Sequence, residues 1–237
     1  MQTQDIDYRA DAVLRGYLAF DEARGGRRPG VLVFHEGLGL GEFAMERARR
    51  LAELGYIAFA ADMFGERRNA RNLTEVAKLV GELRGAPETL RGRGRAALAT
   101  LAAMPQVDPG RLAAIGFCFG GSVVLELARD GADLKAAVSF HGVLTTTTPA
   151  VPGGIRASVL VLTGADDPLA PPEQVAAFEA EMRAAEVRDW QLIAYGNTLH
   201  GFTNPAADGS MLRTALYSAQ ADRRSWASMR SLFDEVL

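Results

Sequence analysis

A thiol can act as a nucleophile when it is held out from the backbone, kept near a base and stabilised as the thiolate. Cys118 is the only cysteine in the 237-residue chain, and it stands in Gly116-Phe117-Cys118-Phe119-Gly120-Gly121, with a glycine two residues to each side. The apolar run Arg111 to Ile115 before it has strand character, and Ser122 to Ala128 after it suits a helix. Strand, tight turn and helix around G-x-C-x-G is the pattern of a nucleophile elbow in which cysteine replaces the usual serine. The central residue of such a turn is strained, and its close neighbours have no room for a Cβ. The N–H groups opening the next helix point toward the sulfur and favour its anion. A lone cysteine is more often a small buried hydrophobe. Its place at the centre of this motif argues for chemistry instead.

Acyl transfer from such a residue needs a histidine to move the proton and an acid to orient that histidine. The chain has His35, His141 and His200. His200, in Leu199-His200-Gly201-Phe202, is the candidate base, because its ordinary pKa range lets it take a thiol proton and return it to a leaving alcohol near neutral pH. His35 comes too early in the chain for a nucleophile–acid–histidine order, and His141 reads as supporting wall. The acid is Asp166 or Asp167, in Gly164-Ala165-Asp166-Asp167-Pro168. Nucleophile, then acid, then histidine is the chain order of the α/β-hydrolase triad.

The elements that position these residues follow from hydrophobic periodicity. Residues 13–20, 30–34, 56–61, 111–115, 136–140, 158–162 and 190–195 read as strands, and several are the near-continuous apolar kind buried on both faces of a parallel sheet. Helices are expected over 43–54, 73–83, 90–104, 122–128 and 172–185, with a closing helix marked by Trp226, Met229, Leu232 or Phe233, and Val236. Gly92 and Gly94 weaken the start of the helix over 90–104, and 145–154 is a loop by its Thr, Pro and Gly content. Strands alternating with helices imply one α/β domain over residues 1–237, a mostly parallel central sheet with helices on both faces. The polar stretches recur just after strands, at the edge where open α/β sheets hold ligands.

Composition narrows the function classes. A hydrophobic fraction of 48% with 23% charged residues is that of an ordinary globular enzyme. A net charge of −3 offers no electrostatic footprint for nucleic acid or an anionic membrane. No apolar run reaches the length of a membrane span, and MQTQDIDYRADA lacks the basic and apolar regions of a signal peptide. One cysteine suits a reducing compartment, so a cytoplasmic location is expected; the chain is read as a monomer or homodimer. Three scattered histidines and one cysteine make no pair at metal-ligand spacing. Glycines 37, 39 and 41 imitate a dinucleotide loop, but the G-x-G-x-x-G spacing is absent. No metal or cofactor is expected.

Taken together, HEGLGL at 35–40, DMFGE at 62–66, GFCFGG at 116–121, FHG at 140–142, GADDP at 164–168 and HGF at 200–202 resemble the dienelactone hydrolase family, from about residue 30 to the chain's end. The resemblance implies an α/β-hydrolase fold and a cysteine hydrolase acting on a lactone or small carboxylic ester, with Cys118 as nucleophile, His200 as base and Asp167, rather than Asp166, as the acid. It implies that Glu36 keeps the resting thiol protonated and takes up its proton when substrate arrives. A carboxylate near a thiol disfavours the thiolate by like-charge repulsion. Backbone N–H groups of Gly37 and Phe119 are the implied oxyanion hole, and Phe64, His141, Phe202 and Asn204 the implied substrate pocket. The family holds a substrate carboxylate with arginines, one of them four residues after the catalytic histidine, where this chain has Asn204. The other lies upstream of the elbow, in a region holding Arg67, Arg68, Arg71, Arg91, Arg93 and Arg95. The competing readings are a broader carboxylesterase or thioesterase, a non-catalytic ligand-binding member of the fold, and a redox sensor built on Cys118.

Overall fold

The computed structural model describes all of residues 1–237. Its centre is an eight-stranded sheet formed by β1 (Gln2–Arg9), β2 (Val13–Phe20), β3 (Arg28–Phe34), β4 (Ile57–Ala61), β5 (Val107–Phe117), β6 (Ala136–Phe140), β7 (Ser158–Gly164) and β8 (Trp190–Tyr195), in the order β1-β2-β4-β3-β5-β6-β7-β8. β1 pairs antiparallel with β2 and β2 antiparallel with β4, and every pairing beyond that is parallel. This is the α/β-hydrolase fold.

The central strands β3 to β7 are apolar over most of their length because each presents alternate residues to two separate cores. Val31 and Val33 of β3 lie with Ala44, Ala48 and Leu51 of α1 (Glu42–Glu53) and with Trp226, Met229 and Phe233 of α6 (Ala219–Val236). Leu32 and Phe34 lie on the other face with Leu90, Ala97 and Leu101 of α3 (Pro87–Ala102), Val123 and Leu127 of α4 (Phe119–Arg129), and Phe178 and Met182 of α5 (Pro172–Ala184). Burial on both faces leaves no polar alternation to read.

Three of the differences from the sequence reading have a plain physical cause. β1 was not anticipated: as an edge strand it is exposed nearly throughout and buries only Tyr8, so it carries no hydrophobic pattern. α3 begins at Pro87, a residue preorganised for the first helical turn, and runs unbroken through Gly92 and Gly94 because Leu90, Ala97 and Leu101 anchor it. α4 begins at Phe119, immediately after the cysteine, not at Ser122.

Parallel register brings the chemistry to one edge. Phe34 pairs with Gly116, Phe117 with Phe140, Phe140 with Leu162, and Gly164 with Tyr195. The segments that leave β3, β5, β6, β7 and β8 therefore emerge side by side, carrying His35 and Glu36, Cys118, His141, Asp167 and His200. No helix is long and apolar enough to cross a membrane.

Candidate active site

Cys118 is the residue between β5 and α4, with φ 52° and ψ −114°, a conformation costly for any residue with a Cβ. The flanking glycines are there because the chain folds back on itself. A Cβ on Gly116 would stand 2.0 Å from the Gly120 carbonyl oxygen, and one on Gly120 would stand 2.2 Å from that of Phe34. The turn is tied from below, where the Cys118 N–H is shared between the Phe140 carbonyl (3.0 Å) and His141 Nδ1 (3.1 Å). That N–H is therefore committed. The N–H of Phe119 opens α4 and has no intrahelical acceptor, and the N–H of Gly37 makes no hydrogen bond within the protein. Both are free to meet an anion.

His200 Nδ1 lies 2.8 Å from Asp167 Oδ2, and Asp167 is 2% exposed. The other carboxylate oxygen, Oδ1, accepts the Leu169 N–H at 2.8 Å, which fixes the turn after β7. Asp166 is exposed, so geometry selects Asp167 from the pair. Nε2 of His200 is buried and makes no hydrogen bond. Burial opposes charge on this ring, but the Cys118 sulfur, and after it the Asp167 carboxylate, outweigh that cost and push His200 up to about 10. The main chain of His200 is clamped as well: its N–H donates to the Thr214 carbonyl at 3.0 Å, and its carbonyl accepts the Leu216 N–H at 2.9 Å.

Cys118, His200, Glu36, Gly37, Phe119 and Asn204 open into one cavity of about 410 Å³. A model of the dienelactone hydrolase family matches residues 14–237. The chain belongs to the dienelactone hydrolase family. It is 47% identical to the solved structure named m3DLH, with a TM-score of 0.95 over 100% of this chain and 98% of that one. It is 42% identical to the crystal structure of a dienelactone hydrolase-like promiscuous phosphotriesterase from metagenomic libraries, with a TM-score of 0.92 over 99% of this chain and 98% of that one. Among curated proteins, one from Yersinia pestis with the provisional name carboxymethylenebutenolidase is 28% identical over 94% of this chain and 84% of its own length.

In this member of the dienelactone hydrolase family, Glu36 is held by Asn204, whose Nδ2 donates to Glu36 Oε2 at 2.7 Å. Burial raises the Glu36 pKa, and the Asn204 hydrogen bond only partly offsets that rise. The carboxyl is thus easier to protonate than a free glutamate, and it shares the cavity with the sulfur. If its residual charge suppresses the thiolate, Glu36→Gln will alkylate faster than wild type with iodoacetamide at pH 7 in the free protein. A rate equal to or below wild type removes Glu36 from that role.

His35 and His141 are supports. His35 donates from Nδ1 to the Glu36 carbonyl (2.6 Å) and accepts the Met63 N–H at Nε2 (3.1 Å), joining the loops after β3 and β4. Burial, the nearby His200 and then Arg47 hold His141 well below its ordinary pKa, so its ring is neutral. With Nδ1 accepting from Cys118, the proton lies on Nε2, which donates to Thr203 Oγ1 at 2.8 Å. Arg47 backs this chain with bonds to the Thr203 carbonyl and to Asp222 Oδ1.

The pocket expectation needs correction. Phe64, His141 and Phe202 do not line the cavity. Phe64 stacks on Phe119 with ring centroids 5.5 Å apart, and Phe202 packs edge-on against His141 at 5.1 Å, both filling space beneath the loops. Asn204 alone of the four reaches the cavity, and its amide is used on Glu36.

The upstream arginines are also committed elsewhere or remote. Arg67 pairs with Asp5, Arg91 with Glu126, Arg93 with Asp11 and Arg95 with Asp130, while Arg68 donates to the Phe64 carbonyl and Arg71 is exposed outside the cavity. The cavity's one arginine is Arg84, the last residue of α2 (Leu73–Arg84), which bonds Ser122 Oγ at 3.2 Å. Partial burial lowers its pKa, and the neighbouring Cys118 opposes that. A sequence signal for it existed: Leu73, Val76, Val80 and Arg84 follow one another at helical spacing on one face.

Proposed function

We propose that this protein hydrolyses uncharged lactones or small carboxylic esters through Cys118, His200 and Asp167. What supports the reading is the meeting, in one cavity, of a cysteine on a strained elbow, a histidine buried against an aspartate, and two free backbone N–H groups. The Cys118 sulfur attacks the carbonyl carbon while Gly37 and Phe119 N–H groups receive the developing oxyanion. A carbon–sulfur bond forms and the carbon–oxygen bond to the alcohol breaks. The thiol proton passes through His200 Nε2 to the departing alkoxide. Water, deprotonated by the same nitrogen, then splits the thioester and restores the thiol. Asp167 holds the ring with Nε2 toward the sulfur.

The preference for uncharged substrates follows from Asn204, which lacks arginine's charge and two-pronged geometry and is already bonded to Glu36. Losing one charge-assisted contact weakens carboxylate binding by about 1.5–3 kcal/mol, roughly ten- to a hundred-fold. The test compares kcat/KM for dienelactone with that for a neutral lactone of similar size. The neutral compound is expected to lead. A lead for dienelactone that disappears in Arg84→Met would instead make Arg84 the carboxylate partner. Loss of p-nitrophenyl acetate turnover on thiol alkylation separates hydrolysis from a purely ligand-binding role.

The promiscuous phosphotriesterase among its similar structures favours a second reading, phosphotriester hydrolysis at the same site. It requires attack of Cys118 on phosphorus with departure of one alkoxide or aryloxide, which takes the thiol proton from His200 Nε2, and then water cleavage of the phosphorus–sulfur bond, which restores the thiol. Paraoxon turnover that is lost with Cys118→Ala would establish it.

A further inference from the structure

The cavity has two long walls that the reacting groups do not use. One is α2, whose Leu73, Val76 and Val80 line the cavity even though Leu83 is the only residue this helix buries. The other is the segment 204–215, which follows His200 and contributes Ala206, Ala207, Met211 and Leu212. It is a fixed wall, because Thr214 and Leu216 bond the His200 main chain, and the Tyr217 N–H donates to the Ala207 carbonyl at 2.8 Å. Apolar side chains continue onto the rim, where Leu73 is 43%, Met211 48% and Leu169 37% exposed. Large apolar side chains left open to water at the mouth of a catalytic cavity are binding surface in waiting.

We propose that, among uncharged esters, the site favours those with an extended apolar acyl group, longer than a lactone ring, lying along the Leu73–Val76–Val80 stripe of α2. This rests on the hydrolase reading above and deepens it. The direction of the substrate follows from the neighbours of its carbonyl. A Cβ on Gly37 would come within 2.9 Å of Val76 Cγ1 and 3.7 Å of Val80 Cγ2, so the stripe adjoins the N–H that receives the carbonyl oxygen. The leaving oxygen must sit beside His200 Nε2, and the wall that grows out of His200 is the 204–215 segment. The acyl chain therefore takes α2, and the alcohol leaves along Met211 and Leu212. Val76 and Val80 are the specificity-determining residues for the acyl group.

The test is a series of p-nitrophenyl esters from acetate to octanoate. A fully buried methylene contributes about 0.8 kcal/mol, close to fourfold per carbon. At this half-open groove kcat/KM should rise at least about tenfold from acetate to hexanoate. In Leu73→Ser/Val80→Ser that ratio should fall below the wild-type ratio, while in Met211→Ser it should stay near it. A wild-type ratio under about threefold overturns the proposal, as does an unchanged ratio in the α2 variant. Either result leaves Cys118-dependent acetate turnover, and with it the hydrolase reading, intact. If no ester is turned over, protection of Cys118 from iodoacetamide by methyl ketones decides the matter. Octan-2-one protecting at least about tenfold better than butan-2-one supports the groove, and equal protection overturns it.

Discussion

Cys118→Ala is expected to abolish ester turnover, by on the order of 10⁴-fold or more, while leaving the melting temperature within a few degrees of wild type. The chemical part of this expectation is that no other thiol lines the cavity, and no hydroxyl in it is hydrogen-bonded to His200. Ser122 lies in α4 with its hydroxyl donated to the Val143 carbonyl at 2.9 Å, and Ser210 belongs to the 204–215 wall. The structural part is that the elbow is held by backbone. The Cys118 N–H bonds to Phe140 and His141, and the glycine contacts at 116 and 120 are unaffected by the side chain at 118. Alanine also tolerates the positive φ no worse than cysteine does. Retained turnover in a folded Cys118→Ala protein would falsify the covalent mechanism. Cys118→Ser should recover little, because a hydroxyl is far harder to ionise than a thiol beside the same imidazole.

The second large effect belongs to Asp167. Its Oδ1 is bound by the Leu169 N–H and its Oδ2 faces His200 Nδ1. An asparagine here would keep its carbonyl oxygen on Leu169 and turn its NH₂ toward the ring. Nδ1 would then have to accept, the ring proton would move to Nε2, and the nitrogen facing the sulfur would no longer be a base. Asp167→Asn should therefore lower kcat by about 10³- to 10⁴-fold, with KM nearly unchanged because Asp167 does not line the cavity. The pKa of His200, now about 10 with Asp167 contributing to the rise, should move down in the same variant, which NMR titration of the ring will read. A drop in kcat of less than tenfold, or no movement of that pKa, would remove Asp167 from the orienting role.

By itself the sequence determined the features set by local rules. Buried strands require unbroken apolar runs, the elbow requires Gly116 and Gly120, and the order Cys118, Asp167, His200 follows from which strand each residue terminates. These are constraints of covalent geometry and burial, and they act within a few residues. Only the tertiary structure decided which side chains converge from distant segments. It separated Asp167 from Asp166 by turning one inward and leaving the other in water. It moved Phe64, His141 and Phe202 out of the cavity and into its foundations, since an aromatic after a strand has the same sequence signature whether it lines a pocket or fills a core. It also joined Asn204 to Glu36 across 168 residues of chain and brought Arg84 to the cavity in place of the arginines nearer the motifs. Those pairings depend on how α2 and the 204–215 segment pack around the carboxyl edge of the sheet. That packing is a balance of contacts between segments remote in sequence, which no short window of residues contains.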